Sequence, residues 1–245
     1  IRLRGLPEQY TLILIDGRRQ GNSSGVNYRD NLGSRDLDWL SPDMIERIEV
    51  VRGPMSSLYG SDAMGGVINI ITRKIGTEWR GNVTLNYSKP DSDTRGDTVQ
   101  MGAQFSGPLT DSLGLRVGGN LTDRESDTGR GQTPGNRAES ANALVHWRLN
   151  DDHTIGVEAS RGTQRNTGAG LVPAFGLSRL VHTGYVVSHD GRYGDTSTSK
   201  ATLVTNTYED RGSSVGNQSR ETVFDAVFNT AFDWVFAHAL NVGGQ

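Results

Sequence analysis

Cysteine is absent from the 245 residues. That excludes a disulfide scaffold and any thiolate metal site. No run of about 18 apolar residues occurs, so the sequence holds no transmembrane helix. A membrane is not thereby excluded, because barrel strands alternate in polarity and keep average hydropathy low. Net charge is small: 25 Lys and Arg against 28 Asp and Glu leave −3. Such a balance gives no argument for a nucleic-acid partner or an acidic surface. Neither a phosphate-binding P-loop nor a dinucleotide fingerprint appears. Gly21-Asn22-Ser23-Ser24-Gly25 fits the spacing of a hydrolase nucleophile elbow. That elbow must lead into a helix, and the sequence that follows, VNYRDNLGSRD, has no helical period, so the enzyme reading falls. The five histidines, His146, His153, His182, His189 and His238, form no ligand-like pair beside a carboxylate.

What is present is β-sequence of two styles. In residues 1–75, short apolar runs are separated by glycine-rich irregular stretches: TLILI at 11–15, IEVV at 48–51 and VINII at 67–71. These runs are β-branched and too short for buried helices, which predicts strands at Leu12–Ile15, Ile48–Val51 and Val67–Ile71 in a small mixed sheet. Asp16-Gly17 is a turn signal after the first strand. Ser41-Pro42-Asp43 has the form of a helix start, an N-cap followed by proline and an acid.

From residue 76 to 245 the pattern changes to alternation with period two. Val83, Leu85 and Tyr87 oppose Asn82, Thr84 and Asn86; Val99, Met101 and Phe105 oppose Gln100 and Gln104. Leu115 and Val117 oppose Arg116 and Asn120, and Val145 and Trp147 oppose Asn142 and His146. Each strand therefore has one apolar and one polar face. Tight connections at Pro108–Ser112 and Asn150–His153 alternate with long polar ones at Asp123–Glu139 and Arg161–His182. Trp79, Tyr87, Trp147, Tyr185, Tyr193 and Trp234 fall near strand ends. Alternating loop lengths and aromatic girdles are the marks of an outer-membrane barrel, although a soluble β-sandwich also alternates. About nine hairpin strands are expected, fewer than the roughly 22 of a plugged barrel. With Ile1 already inside a strand-like run, the chain reads as a piece of a longer protein.

The segments IRLRG, TLILIDGRRQ, IERIEVVRGP, LYGSDAMGG and INIITRK, in that order and spacing, resemble the plug domain of TonB-dependent outer-membrane receptors. The wording is nearest to the catecholate-siderophore branch, to which the colicin I receptor belongs. The resemblance decides between barrel and sandwich. It implies a mainly β protein: a partial plug with a small mixed α/β sheet at 1–75, then the N-terminal hairpins of a large antiparallel transmembrane β-barrel at 76–245. It implies a Gram-negative outer membrane, uptake of a ferric siderophore, and no catalysis. Other family members take up cobalamin, haem or sugars, and a surface adhesin is the rival from another class. The iron travels within the siderophore, so no cofactor and no protein metal ligands are implied. The implied partners are the siderophore, TonB through a segment preceding Ile1, outer-membrane lipid, and a colicin.

By the same resemblance the loop 21–38 lies at the plug apex and touches ligand. Tyr28, Arg29 and Arg35 within it suit a large aromatic trianion through charge, planar hydrogen bonding and stacking. Arg124, Arg130, Arg137, Arg165 and Arg179, read as residues of the long loops, are expected around the mouth. Arg47, Glu49 and Arg52 are expected to project together from one strand and to dock plug against barrel wall by paired charges.

Overall fold

The computed structural model describes residues 10–19, 44–53, 55, 63–128, 133–167, 179–211, 218–234 and 236–244. They form two units, 1–74 and 75–245. The first is built on a four-stranded mixed sheet of β1 (Thr11–Ile15), β2 (Arg18–Arg19), β3 (Ile45–Arg52) and β4 (Gly66–Thr72), in the order β2-β1-β4-β3. β1 runs parallel to β4, and β3 runs antiparallel to it. Both faces of β1 are covered. Leu12 and Leu14 pack with Ala63 and Val67 on one side, and Ile15 packs with Met44, Ile68 and Ile70 on the other. This is why residues 12–15 are continuously apolar instead of alternating.

The Asp-Gly turn is the hairpin link between β1 and β2. Asp16 and Gly17 both take positive φ, 52° and 77°, as a type I′ turn requires. The turn is tied to β4: Thr72 donates from its backbone N–H and from Oγ1 to the Asp16 carboxylate, each at 2.8 Å. The Gly17 N–H donates to Asn69 Oδ1 at 3.0 Å. The expected helix start at Ser41-Pro42-Asp43 lies outside the described residues.

The second unit is one antiparallel meander of nine strands, each paired with the next. They are β5 (Arg80–Ser88), β6 (Thr98–Pro108), β7 (Leu113–Arg124), β8 (Gly135–Arg148), β9 (His153–Thr167), β10 (Arg179–Tyr193), β11 (Ser197–Asp210), β12 (Gln218–Trp234) and β13 (Phe236–Gly244). The connections after β6, β8, β10 and β12 are short, whereas those after β5, β7, β9 and β11 are longer. Long and short links thus collect at opposite ends of the sheet.

β7 to β10 extend well beyond the apolar alternation. Arg124, Arg137, Arg165 and Arg179, expected in loops, are strand residues, while Arg130 lies outside the described residues. The physical reason is that an apolar face reveals a strand only where that face is buried or lies in lipid. The hydrogen-bonded ladder continues past that point with polar residues on both faces.

Candidate functional site

The burial pattern of the nine-stranded sheet is the reverse of that in a soluble protein. Apolar side chains on one face are open: Val83 is 72 % exposed and Leu85 69 %, with Phe105, Trp147, Val157, Tyr185, Leu203 and Phe224 also exposed. Polar side chains on the other face are buried: Gln104 and Asn142 are each 6 % exposed, and Arg116, Glu158, Thr202 and Asn206 are equally enclosed. The register joins these into rows. Phe105, Val117, Ala143, Ala159 and Tyr185 lie opposite one another across β6 to β10. Gln104, Gly118, Asn142, Ser160, Gly184 and Asn206 do so one residue away, on the inner face. His182 accepts its place there by bonding Asn206 Oδ1 at 3.1 Å and stacking on Tyr208. Water would penalise so large an apolar surface, whereas a bilayer rewards it. On β7 the outward apolar stretch runs from Leu113 to Leu121. At about 3.4 Å per residue and a tilt of about 40° it covers roughly 21 Å of height, close to the apolar band of about 25 Å.

At the long-loop end two connections are joined. The Gly96 N–H donates to Asp127 Oδ1 at 3.0 Å, the Glu125 N–H to the Asp97 carbonyl at 2.9 Å, and the Thr128 N–H to the Thr94 carbonyl at 2.8 Å. Arg124 reaches Asp127 at 2.5 Å and the Pro134 carbonyl at 3.0 Å. A Cβ on Gly96 would come within 2.1 Å of the Glu125 carbonyl oxygen, so only glycine permits the crossing. The Gly96 amide, with help from Thr133 and Arg124, holds the Asp127 carboxyl below its usual range against the opposing effect of desolvation. A depressed folded pKa means that its stabilisation is present above the unfolded value of about 3.9 and is lost as pH falls through the folded one. Asp127→Asn is therefore expected to speed amide exchange at Gly96 and Thr128 at neutral pH, with the difference from wild type vanishing in strong acid. An unchanged exchange rate at neutral pH would show that the charge does not hold the crossing.

The anticipated docking residues divide. Arg47 and Glu49 share a face of β3: Arg47 contacts Glu49 and Glu46, each at 2.9 Å, and Asn69 Nδ2 donates to Glu49 Oε2 at 3.2 Å. Arg52 does not join them. Pairing is regular from Arg47↔Ile71 to Arg52↔Gly66, and a three-residue step from Glu49 reverses the side chain. Arg52 therefore shares the face of Ile48 and Val50, which corrects the expectation of a common projection. Tyr28, Arg29 and Arg35 lie outside the described residues. Among the described residues no three His, Cys, Asp or Glu side chains converge as metal ligands would.

Residues 1–67 match the family described as the TonB-dependent Receptor Plug Domain. The chain belongs to the TonB-dependent receptors. It is 42 % identical over 165 residues to the iron-regulated outer membrane virulence protein of Vibrio cholerae, covering 67 % of this chain and 25 % of that one. It is 36 % identical over 189 residues to the ferric enterobactin receptor of Pseudomonas aeruginosa, covering 68 % and 25 %. A crystal structure of a mutant of a Pseudomonas aeruginosa ferric enterobactin receptor, in complex with enterobactin, superposes with a TM-score of 0.78 at 28 % identity. That match covers 99 % of this chain and 42 % of the other. The chain thus spans about a quarter of the length of the curated relatives it matches. As in other TonB-dependent receptors, the nine-stranded sheet is barrel wall of a Gram-negative outer membrane. The first unit carries the plug.

Two features of this receptor were not singled out from its sequence. The joined 94–97 and 125–128 connections depend on backbone amides, which sequence does not distinguish. Arg161 and Arg220 continue the outward parity of β9 and β12, a signal that was readable once strand ends were extended.

Proposed function

We propose that the full-length protein takes up a ferric siderophore of the catecholate type across the outer membrane, driven by TonB. The observation that carries the proposal is the likeness of nearly the whole chain, plug and wall together, to a receptor holding enterobactin. In this reading residues 1–75 are part of the plug and 76–245 part of the barrel, continued by strands of the longer protein. The ligand docks from outside at the plug apex. Arg29 and Arg35 supply charge and forked donors to a trianionic chelate, and Tyr28 stacks on a catechol ring. Arg47 and Glu49 are surface charges in the isolated unit and would fix the plug against the wall. Release requires the plug to loosen when pulled from the periplasmic side. The binding surface recognises the chelate's organic shell, so the iron is cargo and never exchanges ligands with the protein.

The test is equilibrium binding to the full-length receptor of a ferric catecholate and of cobalamin. The ferric catecholate is expected to bind and cobalamin not. Arg29→Ala with Arg35→Ala is expected to weaken binding by roughly 1–3 kcal/mol for each charge-assisted contact made out of water. Unchanged affinity in the double variant would remove the loop from the site. Tight cobalamin binding with none for the chelate would overturn the substrate while leaving the receptor fold untouched.

A further inference from the structure

The short-turn end of the outward face carries a polar cluster that siderophore capture does not use. β9 opens with His153, which shares the outward parity of Ile155 and Val157. On β10, His189 and Tyr193 continue the face of Tyr185 and Val187. Register makes one row of His153, Gly191, Ser199 and Phe228 across β9 to β12, and sets His189 opposite Ile155. The two histidines are therefore diagonal neighbours, a span that long side chains bridge. His153 Nδ1 lies 3.1 Å from His189 Nε2, with the ring planes 15° apart. Tyr193 stands edge-on to His153 at 5.2 Å between centroids, and its hydroxyl accepts from Ser199 Oγ at 3.2 Å.

A hydrogen bond between the rings accounts for their separation, but three features go further. The first is the spacing itself. Two imidazole nitrogens held at about 2.0–2.1 Å by one tetrahedral cation lie about 3.3 Å apart, and at a square-planar corner about 2.9 Å apart. The observed 3.1 Å falls between these values. The second is Gly191. A Cβ there would come within 2.9 Å of Ser199 Oγ, 3.0 Å of His189 Cε1 and 3.1 Å of His153 Nδ1. The missing side chain thus leaves a slot for one small atom, bordered by both rings and a hydroxyl. The third is the outer edge of each ring. Among the described residues His153 Nε2 and His189 Nδ1 have no hydrogen-bond partner. The proton between the rings is free to pass to an outer nitrogen by tautomer exchange, which turns both inner lone pairs toward a shared ion.

We infer that His153 and His189 bind a divalent transition-metal cation at the periplasmic rim of the wall. Imidazole donors favour copper(II) and zinc(II) over calcium or magnesium, which require oxygen ligands, and copper binds more tightly than zinc. Ser199 Oγ and Tyr193 Oη border the slot and hold a metal-bound water, and further water completes the shell. Both histidines are half-buried at the end of the strands, and the short-turn end faces the periplasm in such barrels, so the ion arrives from water on that side. Bound there, it ties β9 to β10 beside the tight turns. The site is outside the lumen, separate from siderophore capture, and rests only on the outer-membrane reading.

The experiment titrates the chelator-stripped full-length receptor in detergent with copper(II), zinc(II) or magnesium alone, by calorimetry. Wild type is expected to bind one copper more tightly than one zinc and to bind no magnesium. Electron paramagnetic resonance of the copper form is expected to show two nitrogen ligands. His153→Gln and His189→Gln are each expected to weaken copper binding by more than about tenfold, the lower bound for losing even an outer-shell partner, and to leave one nitrogen ligand. Gly191→Ala keeps both ligands and is expected to lower the affinity, because its methyl group occupies the slot. His146→Gln, on the inner face opposite Gly114 and Gly156, is expected to change nothing. An unfolding midpoint equal to that of metal-free wild type reports that each variant is folded. No copper binding by wild type, a two-nitrogen signal that survives in both His153→Gln and His189→Gln, or equal binding of magnesium would overturn the inference. So would a loss in His146→Gln as large as that in His153→Gln.

Discussion

Val117→Arg is expected to destabilise the membrane-inserted barrel by about 2–4 kcal/mol. Val117 is the middle of the outward series Leu113, Leu115, Val117, Gly119, Leu121, and it lies between Phe105 and Ala143 on the neighbouring strands. An arginine there must either enter hydrocarbon or drag water to itself. Thr122→Arg is the control, since Thr122 pairs with Gln100 and Ala138 on the inner face, where charge is tolerated. Urea-unfolding midpoints of the full-length receptor refolded into bilayers report both. A large loss for Thr122→Arg with none for Val117→Arg would invert the faces.

Leu14→Ala should cost the plug about 2–5 kcal/mol. Leu14 is 2 % exposed, packed with Leu12, Ala63 and Val67 on a strand whose other face is also covered. Two-sided packing leaves β1 little room to collapse into the cavity, which places the cost toward the upper part of that range. Leu14→Met keeps the volume and should cost less than about 1.5 kcal/mol. Pulse proteolysis of the full-length receptor in rising urea, read at plug cleavage sites, checks it. Equal cleavage midpoints for Leu14→Ala and wild type would mean that the leucine is not packed as described.

How much of this was legible in the sequence depended on whether a residue's neighbour was predictable. LILI at 12–15 and VINII at 67–71 read as buried strands because apolar, β-branched residues dominate them, Asn69 being the one polar residue within the two runs, and both became the centre of the mixed sheet. The outward placement of Val83, Leu85, Phe105 and Trp147 was legible because lipid enforces a strict period of two. Arg165 and Arg179 were misread as loop residues for the complementary reason. Beyond the belt nothing apolar marks the face, and only the backbone ladder shows that they belong to strands. Arg52 was misassigned by parity alone, because three residues on a strand is an odd step. The candidate ligand loop rests on composition and resemblance, since Tyr28, Arg29 and Arg35 lie outside the described residues.

The functional reading turns on energised uptake of a ferric catecholate by the full-length receptor. Its most direct test is accumulation of radioactive iron, supplied as the ferric catecholate, in cells expressing that receptor with and without TonB. Accumulation is expected to require TonB, while surface binding of the chelate persists without it. Surface binding with no TonB-dependent accumulation, or uptake of labelled cobalamin in place of the iron chelate, would contradict it.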